Sequence, residues 1–174
     1  PPVIPTVTEV TSTDGRGGTA TSSYEYSGGL HDRAEKRFLG FRHERQTKPC
    51  IDGEASCPYV EITYRQDRAA ASKPERIEEY SGDGARLRTQ ILEYTTNGDV
   101  VPRVALTTGE WDVTLGAGDT ACPGAECRRK YLSRSYNAYG EVTRETDHGD
   151  ADLEGDEDTT VTTYVPNTAD YIVD

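Results

Sequence analysis

The chain has 174 residues, enough for one domain of ordinary size, but only 33% of them are hydrophobic, a thin supply for a self-contained core. Acidic residues outnumber basic ones, 31 to 19, and the formal net charge of -12 would repel a phosphate backbone, which argues against nucleic acid as a partner. No apolar run approaches the ~20 residues of a membrane-spanning helix, so membrane insertion by this segment is not expected. Low apolar content with high net charge is also a mark of disorder. Against disorder stand 11 Tyr, 17 Gly and many Thr and Val in recurring strand-like runs. The absence of Met and the Pro1-Pro2 start suggest a piece of a longer polypeptide, in which case the lack of a signal peptide says nothing about secretion.

In chain order, the first 18 residues read as an extended arm with one strand at Val7 to Val10, closed by a D-G-R-G-G turn from Asp14 to Gly18. Thr19 to Tyr26 predicts a strand with Tyr24 and Tyr26 on one face. Gly28-Gly29 permits a tight turn. Asp32 to Lys36 suggests one helical turn with Asp32 as its N-cap. Arg37 to Gln46 resumes an extended run, in which Gly40 marks a bulge or a close backbone approach. The basic residues here, Arg33 to Lys48, are interleaved with Asp32, Glu35 and Glu44 and read as a solvated strand and turn surface.

Tyr59 to Gln66 alternates cleanly, with Val60, Ile62 and Tyr64 on one face. Arg76 to Tyr80 and Ala85 to Tyr94 flank S-G-D-G, a strong hairpin signal. Pro102 demotes Val100 to Thr107 to an edge or a bulge. Trp111, Val113 and Leu115 share a face. Arg128 to Tyr136 and Gly140 to Thr146 predict a second hairpin. Thr159 to Val165 is a further strand, and Tyr171 to Val173 would begin another. Y-S-G-D-G-A-R-L and Y-N-A-Y-G-E-V-T are loose echoes of one unit: a Tyr strand, a Gly turn and an amphipathic strand. The expected fold is all-β, antiparallel strands and hairpins with long polar loops, in a single segment over 1–174.

The cysteines fall as C-x6-C (Cys50, Cys57) and C-x4-C (Cys122, Cys127). Four cysteines allow three pairings. Local disulfides are the simplest, which would imply an oxidising setting; free thiols and a metal site are the alternatives. Zinc knuckles of the C-x2-C kind are missing, so no metal is expected at these cysteines. In the acidic loop, Asp150, Asp152, Glu154, Gly155 and Asp158 fit D-x-D-x-[DE]-G-x-x-D, the pattern of a calcium loop, with Asp156 also inside it. The closing Glu of an EF-hand is replaced by Val161. A solvated acidic loop is the simpler reading, and no cofactor is expected. His31, His43 and His148 are scattered, and no nucleophile elbow, Walker loop or zinc helix occurs, so no catalytic residue and no enzyme is expected.

Two stretches carry a family resemblance. G-G-L-H-D-R-A-E-K-R-F-L-G-F, at Gly28 to Phe41, resembles the middle region of the B component of bacterial insecticidal toxin complexes. Y-N-A-Y-G-E-V-T-R-E-T-D, its acidic loop and T-T-V-T-T-Y, within 128–174, resemble the tyrosine-aspartate (YD) repeats of the Rhs family. The family-marker hairpin spans 19–46. The resemblance implies a segment of a YD-repeat β-shell, a wall that encloses a toxic polypeptide in a secreted bacterial protein. Its partners would be the remainder of the shell and the enclosed toxin. Gly28, Gly29, Asp32, Arg37, Phe38, Gly40 and Phe41 would then be packing residues of the wall. The alternative is a secreted β-type binding module for a glycan or a cell-surface receptor. The surroundings of Trp111 distinguish the two: an exposed concave surface would favour ligand binding, and packing against neighbouring strands would favour wall.

Overall fold

The computed structural model describes residues 3–50, 53–116, 122 and 126–165. The predicted strand at Tyr171 to Val173 lies outside them. The described residues contain strands and turns and no helix, as the alternating Thr, Val and Tyr runs predict. The chain divides into two compact units, Pro1–Thr89 and Gln90–Asp174.

The first unit holds β1 (Glu9–Thr13), β2 (Thr19–Ser27), β3 (His31–Asp32), β4 (Arg37–Phe38), β5 (His43–Thr47), β6 (Tyr59–Tyr64) and β7 (Pro74–Tyr80). β8 (Arg86–Thr96) contributes its first residues here and the rest to the second unit. The strand order is β1-β2-β5-β6-β7-β8, with β3 and β4 forming a separate small hairpin. The pairings between β1 and β7 are antiparallel. The second unit continues from β8 through β9 (Ala105–Thr114), β10 (Arg128–Tyr136), β11 (Val142–Asp150) and β12 (Asp158–Val161) in simple sequence order.

Several expectations need correction. The first strand starts at Glu9 rather than Val7, since its ladder with β2 pairs Glu9 with Ser23 through Thr13 with Thr19. Asp32 to Lys36 is not a helical turn. It is the loop of the β3–β4 hairpin, closed by Lys36 at a φ of 53°. The extended run from Arg37 breaks after Phe38, because Gly40 adopts a φ of +97°, far from extended geometry. Val100 to Pro102 lies in the β8–β9 connection, where the Val101–Pro102 peptide is cis, and the strand begins only at Ala105. β11 extends to Asp150, so the acidic loop is shorter than the sequence suggests, and β12 stops at Val161.

One turn recurs. Ser81 donates its N–H to Ala85 O at 2.9 Å and accepts from Gly84 N at 3.0 Å. Asn137 does the same with Glu141 O at 3.0 Å and Gly140 N at 3.1 Å. Asp14 N bonds Gly18 O at 3.1 Å in the same i to i+4 register. In all three the fourth residue is a glycine at positive φ: Gly17 at 100°, Gly84 at 86° and Gly140 at 87°. The two echoed sequences are thus the same hairpin joint, in which only glycine enters the left-handed region without strain.

Few side chains are fully enclosed. Leu39, Val60, Ala70 and Leu115 are the buried hydrophobic residues among those described. Most strand residues are half-buried, and β1 and β12 are exposed throughout. Ladder hydrogen bonds and cross-strand side-chain pairs therefore carry the cohesion, each pair contributing roughly 0.2–1 kcal/mol.

Candidate functional site: the aromatic joint at Gly28 to Phe41

After β2, the Gly28–Gly29 pair turns the chain into the small hairpin. Gly28 has a φ of +68°, and a Cβ there would lie 2.7 Å from Arg42 Cβ. A Cβ on Gly29 would lie 3.3 Å from the Phe41 ring and 3.4 Å from the Phe38 ring. The backbone then closes on itself: Leu30 N bonds Gly40 O at 3.1 Å, Leu39 N bonds Leu30 O at 2.8 Å and Arg42 N bonds Ser27 O at 3.0 Å. The result turns Leu39 inward and gathers three rings. Phe41 packs against Tyr26 and edge-on against Phe38, each at 5.2 Å between centroids.

The β6–β7 connection forms the platform under this joint. Asp67 accepts from the N–H groups of Ala69 and Ala70, Ser72 N bonds Arg65 O, and the enclosed residue is Ala70. Gln66 donates from Nε2 to Gly28 O at 2.7 Å and to Gly40 O at 2.9 Å, tying both glycines to the platform. A Cβ on Gly40 would collide with Ser72 Oγ.

The hairpin's charges are held from the same side. Asp32 Oδ1 accepts from Ala34 N, and its Oδ2 accepts from Arg68 Nε at 2.5 Å. Arg37 donates to Arg68 O at 2.8 Å. The hydrogen bond from Arg68 holds the Asp32 carboxyl below the usual range, assisted by the hairpin amides, although burial opposes it. Burial likewise raises the Asp67 carboxyl, but Arg65 and the Ala70 and Ala69 amides outweigh it and leave it lowered.

Between the joint and the sheet lies a cavity of about 320 Å³, lined by Tyr26, Phe38, Phe41, Tyr64, Glu44 and Ser72 together with Gly40. Tyr26, Glu44, Ile62 and Ile77 are directly opposed across β2, β5, β6 and β7 and so share a face. Tyr64 donates its hydroxyl to Glu44 Oε2 at 2.7 Å. Burial, then the bond to Glu44, pushes the Tyr64 phenol well up, and burial followed by the Glu44 charge raises Tyr26.

The joint thus brings together Gly28, Gly29, Phe38, Gly40 and Phe41, with Asp32 and Arg37 at its charged end. Sequence reasoning missed Gln66, Arg68 and Ser72. The available signal was the Asp67-x-x-Ala70 turn before Pro74, which marks a structured connection rather than a loose one. Elsewhere, Cys50 is bonded to Cys57 and Cys122 to Cys127. In the acidic segment, Asp152 pairs with Arg129, Asp150 lies 3.7 Å from Arg128, and Asp156 accepts from Asp150 N. Among the described residues no group of three or more His, Cys, Asp or Glu is placed to hold a metal ion.

In the second unit Trp111 stacks on Tyr131 of the neighbouring strand at 4.3 Å, and Tyr131 stacks on His148 at 5.1 Å. Glu93 accepts from Trp111 Nε1 at 3.3 Å and from the Tyr131 hydroxyl at 3.2 Å. The Glu93 carboxylate and the Tyr131 hydroxyl close over Gly109, where a Cβ would collide with both. Trp111 is half-buried in this cross-strand ladder.

Comparison with known proteins matches residues 1–71 to the family described as "Insecticide toxin TcdB middle/N-terminal region". No curated protein matches the sequence. Among solved structures, TcdB2-TccC3 without its hypervariable C-terminal region aligns with a TM-score of 0.58 at 11% identity, covering 74% of this chain and 9% of that one. TcdB2-TccC3-Cdc42 aligns with a TM-score of 0.57 at 10% identity, covering 86% of this chain and 10% of that one. The likeness is one of fold, and the chain spans about a tenth of the solved chains it matches.

Proposed function

We propose that the chain, whose residues 1–71 match the family described as "Insecticide toxin TcdB middle/N-terminal region", forms a stretch of shell wall that encloses a toxic polypeptide. The observation that carries this is the likeness in fold to TcdB2-TccC3, at a TM-score of 0.58 over 74% of the chain. A wall has solvent on both faces, so each strand needs little apolar area. That suits a chain in which most strand residues are half-buried.

The work proposed is mechanical. The segment contributes no catalysis and holds no cofactor; its partners are the neighbouring strands of the same shell and the enclosed polypeptide, in a secreted bacterial protein. The Trp111–Tyr131–His148 stack supports wall over a glycan-binding face, because the rings are spent on neighbouring strands.

The test uses the full-length protein that carries this segment, purified with its toxic partner polypeptide. Electron microscopy should show hollow particles, and limited proteolysis should leave the enclosed polypeptide intact until the shell is denatured. Solid or open particles, with the polypeptide digested at the rate of the free chain, would refute the wall.

A further inference from the structure

The cavity at the aromatic joint has a composition that wall-building does not require. Its sides are four rings, Tyr26, Phe38, Phe41 and Tyr64, set at angles to one another: 38° between Tyr26 and Phe41 and 74° between Phe38 and Phe41. Its one charged lining group is the Glu44 carboxylate. Five carboxylates around the joint have cationic partners. Asp32 has Arg68, Glu61 has Arg45, Glu75 has Arg42, Asp67 has Arg65, and Glu78 has Arg76 and Arg86. Glu44 receives the Tyr64 hydroxyl, and no basic side chain among the described residues is paired with it.

From this contrast we infer that the cavity formed by Tyr26, Phe38, Phe41, Tyr64 and Glu44 is a binding cup for a quaternary ammonium group. Aromatic faces attract a cation through their quadrupoles, and more strongly where water is thinned. Glu44 supplies the missing counter-charge. A quaternary ammonium brings no N–H and leaves no donor unsatisfied against the rings. At about 320 Å³ the cavity lies at the small end of the range for ligand pockets, ~300–1,000 Å³, as a compact head group requires. The lining rings and Glu44 are half-buried, so they remain reachable from solvent. The cup does not depend on the wall proposal, and either can fail alone.

The test is an NMR titration of the 174-residue chain with choline and, separately, with 3,3-dimethylbutan-1-ol, the neutral isostere with carbon in place of nitrogen. Choline should shift the ring signals of Phe38 and Phe41 saturably, with a Kd on the order of millimolar, and the isostere should bind at least about tenfold more weakly. Glu44→Gln, which keeps the side chain's shape, should weaken choline by about tenfold while leaving the isostere unchanged. A peptide carrying trimethyllysine, titrated in parallel, separates the two carriers of the group: tighter binding than choline assigns the cup to a polypeptide side chain, and weaker binding assigns it to a free solute. Equal binding of choline and its isostere, or no saturable shift with either choline or the peptide, would overturn the assignment.

Discussion

Arg68 Nε meets Asp32 Oδ2 at 2.5 Å across 36 residues of sequence, fastening the loop of the small hairpin to the platform beneath it. The Asp32 carboxyl is held low by that bond, and Asp67 in the same platform is also lowered. A carboxylate whose folded pKa lies below its unfolded value of about 3.9 contributes stability that is present above that value and lost as pH falls through the folded pKa. Thermal melts of the chain should therefore be flat from neutral pH to about 4 and fall steeply below it. Asp32→Asn should lower the plateau and flatten the acid limb. An acid limb unchanged by the substitution would show that Asp32 is not the group responsible.

Gly40 offers the sharpest single-site test. Its φ of +97° and the Ser72 hydroxyl, which lies where a Cβ would go, leave no place for a side chain. Gly40→Ala should cost about 1–3 kcal/mol in urea denaturation. Ser72→Gly in the same chain should recover part of that, since it removes the colliding atom and suits the φ of 63° at that position. The strain at Gly40 itself would persist, so full recovery would mean that the collision alone accounts for the loss.

Removing the Cys50–Cys57 bond, which spans 7 positions, should destabilise the chain by roughly 2 kcal/mol, because closing a short loop restrains the unfolded chain less than closing a long one. Denaturation of the Cys50→Ser, Cys57→Ser double variant measures this directly. A loss above about 4 kcal/mol would point to a folding role beyond loop closure.

The single tryptophan reports on the second unit alone. Tyr131→Ala should shift Trp111 emission to the red and cost more than the ~0.5–1.5 kcal/mol of an aromatic pair, since buried ring area is lost as well. Emission that does not change would show that the stack does not persist in solution.

The hairpins were legible in the sequence because their determinants are local. Ser81 to Gly84 and Asn137 to Gly140 each place glycine where positive φ is needed, and the alternation on either side sets the strands. Gly40 was legible as a special position, but its consequence was not: a positive φ interrupts the strand that Arg37 to Gln46 otherwise suggests. The aromatic joint was half legible. Phe38 and Phe41 stand out in so polar a chain, whereas their support from Gln66, Arg68 and Ser72 arrives from 26 to 38 positions away in the bonds that matter. No periodicity encodes such contacts. Asp32 was expected to cap a helix, and it does accept amide hydrogens from Ala34 and Glu35, but those amides belong to a hairpin loop. The local chemistry was read correctly and the element was not.

The joint with a glycine at its fourth position closes with backbone bonds among its own five residues. A sheet built with such joints can gain or lose a hairpin by a change confined to the neighbouring strands, much as a fence is extended by panels. Selection could therefore alter the amount of sheet a chain lays down without redesigning an interior, because so little interior exists to redesign.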